Sequence, residues 1–209
     1  DHNWYGVISN MSYKINSSTN LVLGVDFRNY TGLHYAEVRD LYGGDYFMDQ
    51  AQDGGQLIDR NILNPNNVAR VGDKIRYNYN GNVRWGSVFT QVEKTFGDKF
   101  DAFLSVNLSR TQMWREGLFW SGESEYIDNS YGNSDKRIFN NYNAKLGLNY
   151  RIDGRHSVYA NGGMFTRAPF LANSFQDNRN SNAYLNGLTS ETIRAAELGY
   201  SYRSSKFKA

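Results

Sequence analysis

The chain has 209 residues, 23 basic against 21 acidic side chains for a net charge of +2, no cysteine, 16 tyrosines and 40% hydrophobic residues. That balance excludes a disulfide framework and a thiolate metal site, and it leaves no basic block for a nucleic-acid partner. The mean hydropathy is −0.67, and no apolar run approaches the roughly 18 residues that a membrane-spanning helix needs.

The sequence instead carries segments of alternating hydrophobicity, the signature of strands with one apolar and one polar face. A first strand over about 5–15 puts Tyr5, Val7, Met11, Tyr13 and Ile15 on one side. After the polar turn Asn16–Asn20, a second over about 21–30 sets Leu21, Leu23, Val25 and Phe27 against Gly24, Asp26 and Arg28. An irregular stretch, 31–81, follows, with Gly43-Gly44, Gly54-Gly55 and Asn64-Pro65. In the third strand, 82–96, Trp85 and Phe89 share one parity while Val88, Val92 and Phe96 share the other, so its faces stay unassigned.

Gly97–Lys99 turns into the clearest strand, 100–111. There Phe100, Ala102, Leu104, Val106 and Leu108 oppose Asp101, Phe103, Ser105, Asn107 and Ser109, and the strand continues raggedly toward Trp120. A loop over 121–137 leads to a fifth strand with Tyr142, Ala144, Leu146, Leu148 and Tyr150 on its apolar side. Asp153-Gly154-Arg155 marks a tight turn. In the sixth strand, 157–167, Val158, Ala160 and Met164 compete with Tyr159 and Phe165, and Pro169 ends it. A loop over 168–190 precedes a seventh strand with Ala196, Leu198, Tyr200 and Tyr202 on one face; Phe207–Ala209 begins an eighth.

Connections therefore alternate short and long. A soluble sandwich gives no reason for this sorting, whereas an outer-membrane barrel has short periplasmic turns and long extracellular loops. A one-residue slip would carry Asp101 and Asn107 into lipid. The expected fold is all-β, a segment of an antiparallel up-and-down transmembrane barrel with seven to eight strands. Residues 1–209 read as one partial barrel domain with extracellular loops at about 31–81, 121–137 and 168–190. The cycle stops midway, so the chain reads as part of a larger barrel.

The last third carries motifs as well. Phe165-Thr166-Arg167-Ala168-Pro169, Leu188-Thr189-Ser190-Glu191 and Glu197-Leu198-Gly199-Tyr200 resemble the strand-end blocks of TonB-dependent outer-membrane receptors. Ser190 stands where that family usually has proline. Gly86–Glu93 and Val71–Tyr77 are similar to further family segments. The resemblance implies a barrel of about 22 strands in a Gram-negative outer membrane, filled by a plug domain that lies outside these residues. It also implies contact with outer-membrane lipid, coupling to TonB through the plug, and active uptake of a small nutrient. Siderophore, cobalamin, glycan and peptide all remain open. A passive porin without energy coupling is the alternative.

Candidate ligand contacts are aromatics that flank or lie in the loops: Tyr42, Tyr46, Phe47, Trp114, Phe119 and Trp120. The competing reading is an interfacial aromatic belt. Arg167 can face an anionic ligand or pair with a wall carboxylate such as Glu197. Asp45, Asp49 and Asp53 lack the ligand spacing of a calcium loop. His2, His34 and His156 share no metal-ligand spacing, and no nucleophile elbow or phosphate loop occurs. No metal, cofactor or enzymatic activity is expected.

Overall fold

The computed structural model describes residues 1–53, 56–58, 60–64, 66–121 and 124–204. Its long strands form one antiparallel sheet in sequence order: β1 (His2–Asn16), β2 (Thr19–Glu37), β7 (Lys74–Phe96), β8 (Phe100–Gly117), β10 (Arg137–Arg151), β11 (His156–Arg167) and β12 (Glu191–Tyr202). Between β2 and β7, β3 (Phe47–Met48) pairs with β6 (Val68–Ala69), and β4 (Ala51–Asp53) with β5 (Gln56–Ile58). A short β9 (Gly132–Asn133) pairs with the end of β8. β1 and β12 form the two edges, so the sheet is open among the described residues. The eighth strand expected from Phe207 falls outside them.

The pairing register assigns the two faces. Val25 faces Val88, Val88 faces Leu108, and Leu108 faces Tyr142, so these side chains share one side. The same side carries Leu104, Leu146, Ala160 and Leu198. The opposite side carries Asp26, Ser87, Ser109, Asn143, Lys145 and Glu197. The two strands that periodicity leaves unassigned are settled here. Val88, Val92 and Phe96 point to the apolar side with Val158, Ala160 and Met164, while Trp85, Phe89, Tyr159 and Phe165 point to the polar side.

Those misplaced aromatics have a physical reason. Phe89 pairs with Gly24, Phe103 with Gly147, and Tyr159 with Gly199, and in each pair the ring occupies the space a Cβ on the glycine would need. A ring lying flat over a cross-strand glycine covers the bare backbone. The polar face is thus polar by position and aromatic by packing, which blurs the period-two signal.

Strand ends also differ from expectation. β2 continues to Glu37 and β7 starts at Lys74, so the first long loop covers 38–73 rather than 31–81. The second covers 118–136 rather than 121–137; the third matches 168–190. The cause lies in rows past Phe27, Gly86, Arg110 and Asn140, where the ladder persists but the formerly apolar side carries Asn29, Arg84, Gln112, Thr31 and Asn82. With both faces polar, alternation vanishes although the strands go on. A crossing of the hydrocarbon core takes about 9–11 residues, and β2 has 19 and β7 has 23.

Short turns close the other end. Asn16 Oδ1 accepts from the backbone N–H of Ser18 at 3.0 Å, and Asp153 Oδ1 from those of Arg155 and His156 at 2.7 and 2.8 Å. Such side-chain caps replace a backbone turn.

Candidate functional site

The overshooting strands and three loops build a mouth at the loop end of the sheet. Its hub is Arg115 on β8, 1% exposed and on the polar side next to Met113. The guanidinium donates to the Ser130 carbonyl at 2.8 Å, Asn182 Oδ1 at 2.5 Å, the Asn178 carbonyl at 2.9 Å and the Arg179 carbonyl at 2.7 Å. It also lies 4.9 Å from the centre of the Tyr79 ring. One side chain therefore ties the 118–136 and 168–190 loops to β8. Arg115 stands beyond the apolar rows. Burial draws its pKa down to about 10, opposed by Tyr79 and Asp177, so it stays charged at neutral pH.

The 168–190 loop folds over the polar face. Leu171 fills the position that a Cβ on Gly81 would occupy. Phe175 stacks on Tyr184 with ring centres 4.4 Å apart, and the Tyr184 hydroxyl lies 2.9 Å from the carbonyls of both Met113 and Asp135. The 38–73 loop rests on a small core of Val38, Ala69 and Ile75, and Asp49 Oδ2 accepts from the Arg76 N–H at 2.8 Å.

The candidate aromatics separate into distinct roles. Tyr42 is 94% exposed, and Tyr46 is also open to solvent. Phe47 packs on the Val38 core, and Phe119 is buried. Trp120 stacks on Tyr131 at 5.2 Å, and its backbone N–H donates to the Arg60 carbonyl at 2.9 Å. Trp114 lies on the apolar side, with the Arg84 guanidinium 5.2 Å and the Lys136 ammonium 5.1 Å from its ring. Arg167 pairs with Glu191 at 2.6 Å, its register partner, and not with Glu197. Glu197 instead accepts from the Tyr159 hydroxyl at 3.1 Å.

A second constellation went unseen in the sequence. On the polar side, Trp4, Arg28, Tyr30, Val83 and Trp85 line a cavity of about 350 Å³. The Arg28 guanidinium sits 5.7 Å from the Trp4 ring and 5.1 Å from the Trp85 ring, and pairs with Asp26 at 2.5 Å. A guanidinium flanked by two indoles is a recognition surface for planar or anionic groups. His2 and His34 also meet here, with ring centres 6.0 Å apart, and Tyr30 Oη lies 2.7 Å from His2 Nδ1. No group of three metal-binding side chains forms among the described residues. These partners come from three strands, so only the pairing register, absent from composition and spacing, unites them.

A comparison with curated proteins finds none that matches. The family model described as "TonB dependent receptor-like, beta-barrel" matches residues 1–209, the whole chain. That family consists of outer-membrane transport receptors. With its antiparallel sheet of apolar-against-polar strands, the chain belongs to the TonB-dependent receptor β-barrel family.

Proposed function

We propose that this chain forms part of the wall of a Gram-negative outer-membrane receptor that takes up a small nutrient by TonB-coupled transport. The apolar side meets lipid, the polar side lines the lumen, and the three long loops stand outside the cell. The plug domain that receives TonB work belongs to the receptor but lies outside these 209 residues. The observation that carries this reading is the guanidinium between two indoles on the polar face, beneath loops folded over the same face. Such a surface suits a passing ligand better than a passive pore, whose wall gains nothing from a fixed stack.

Ligand capture falls to Tyr42, Tyr46 and Trp120 at the loops, then to Trp4, Arg28 and Trp85 on the wall. Arg167 contributes only when its pairing with Glu191 opens. Trp114 belongs to the interfacial belt, while Phe47 and Phe119 hold the loops' shape. Siderophore, cobalamin, glycan and peptide are the ligand classes to screen. The test uses the full-length receptor in its own outer membrane and compares uptake with and without functional TonB. Uptake that vanishes without TonB fits the proposal; uptake that persists makes the protein a porin.

A further inference from the structure

On the polar side a line of stacked side chains joins the loop clamp to the wall surface. Arg115 of β8 lies 4.9 Å from the Tyr79 ring of β7. Tyr79 stacks on His34 of β2, with ring centres 4.7 Å apart and 10° between the planes. His34 meets the edge of His2 of β1 at 6.0 Å, and His2 stacks on Tyr30 at 5.8 Å. Tyr30 then meets Trp4 edge-on at 6.1 Å, beside Arg28.

The sensitive link is His34. β2 and β8 flank β7 in the sheet, so the buried Tyr79 ring stands between an imidazole and a guanidinium. An aromatic face attracts a cation, and Arg115 already holds that place. A proton on His34 sets a second cation against the same ring. The 168–190 loop borders this spot directly: a Cβ on Gly81 would come 2.5 Å from Leu171 Cδ2 and 3.8 Å from His34 Nε2.

The groups around His34 offer a new charge no relief. β1 presents His2 and the backbone nitrogen of Asp1, β2 presents Tyr30, β7 presents Tyr79 with Tyr77 beside it, and β8 presents Arg115. The loop adds Asp177 and Arg179, whose guanidinium lies 4.9 Å from the Tyr77 ring. The Asp1 carboxylate is taken by the Tyr35 hydroxyl at 3.0 Å, and no carboxylate bonds either imidazole among the described residues. Burial, with His2 beside it, holds the His34 pKa below the ordinary imidazole value. A group lowered in this way takes its proton more readily once the structure opens, so the contact weakens as pH falls below about 6.5.

We propose that His34 is an acid-sensitive latch: neutral, it locks Tyr79 and Arg115 under the 168–190 loop, and protonated it lets that loop lift from the polar face. The latch rests on the packing. Its consequence for cargo, a mouth that opens over Trp4, Arg28 and Trp85 in acid, rests on the proposed receptor function.

The test is hydrogen exchange read by mass spectrometry on the full-length receptor in detergent, corrected for the chemical rate. Measurements at about pH 7.5 and about pH 5.5 bracket the imidazole range. In the wild type, amides of 168–190 should exchange roughly tenfold faster at the lower pH, while those of Phe100–Leu108 stay protected. His34→Phe keeps a flat, uncharged ring against Tyr79 and should abolish the acceleration. His34→Gln, smaller and equally unable to take a proton in this range, should abolish it too. Loop exchange that ignores pH in the wild type overturns the proposal, as does a response that survives in either variant. Uptake that persists without TonB breaks the receptor reading and leaves this exchange pattern intact, so the two fail separately.

Discussion

The two ends of the sheet are held by different physics. Toward the short turns, β8 and its neighbours present one apolar side from Phe100 to Leu108, and in the proposed membrane setting burial of that side in lipid sets the register. Toward the loops both sides are polar, and order comes from side chains that bond backbone groups far away in sequence, Arg115 and Tyr184 above all. The contrast teaches that a strand can outlive its hydrophobic pattern. The ladder continues, but the loops rather than the lipid now hold it.

The largest expected effect falls on the loop end. Arg115→Met removes a charged donor from four acceptors. Each such bond is worth roughly 1.5–3 kcal/mol and they do not add fully, so about 4 kcal/mol of local loop stability should go. Limited proteolysis should then cut the 118–136 and 168–190 loops while the long strands stay protected. Simultaneous loss of both would show that the two ends are one cooperative unit.

Next comes the lipid-facing side. Leu104→Arg should cost about 2–4 kcal/mol in bilayer unfolding, and Ser105→Arg, one residue on and facing the other side, clearly less. Equal costs would break the assignment of faces. Gly147→Ala should cost about 1–3 kcal/mol, because Phe103 covers that glycine and must move. Replacing Phe103 by leucine in the same chain should recover most of the loss.

The smallest effect belongs to the turn at Asp153. Backbone N–H groups of Arg155 and His156 hold its carboxyl below the usual range. A depressed folded pKa stabilises the native state above the unfolded value, near 3.9, and the gain disappears as pH falls through the lower folded value. The unfolding midpoint of the wild type should therefore drop more than that of Asp153→Asn on acidification below about pH 4. Parallel titration of the two would remove the turn from the account.

Much of the fold was legible because a sheet with one apolar side writes itself into every second residue. Leu104, Val106 and Leu108 could only be one side of a strand, and the 168–190 loop between Arg167 and Glu191 was bounded correctly. What the pattern could not convey lay where burial is not hydrophobic. The first long loop is shorter than the 31–81 of the sequence pattern because Asn29, Arg84 and Gln112 end the alternation before the ladder ends. Phe89 and Tyr159 leave the faces of their strands unassigned in the sequence, because no local rule reveals a glycine on the neighbouring strand. Arg115 has no local signature, because its acceptors at Ser130, Asn178, Arg179 and Asn182 lie on loops that only the fold brings to it. The loop aromatics were found by composition, yet composition could not tell buried Phe119 from exposed Tyr42. Trp4, Arg28 and Trp85 needed the pairing register itself.

The most direct test is a spin-label scan along β8 from Phe100 to Gly117 in the full-length protein in bilayers. The account predicts oxygen contact that alternates, with maxima at Ala102, Leu104, Val106 and Leu108. Past Arg110 a water-soluble relaxant should take over at Gln112 and Trp114, while Met113 and Arg115 stay shielded from both. Maxima at Ser105 and Asn107, or an apolar alternation that runs unbroken to Gly117, would contradict it.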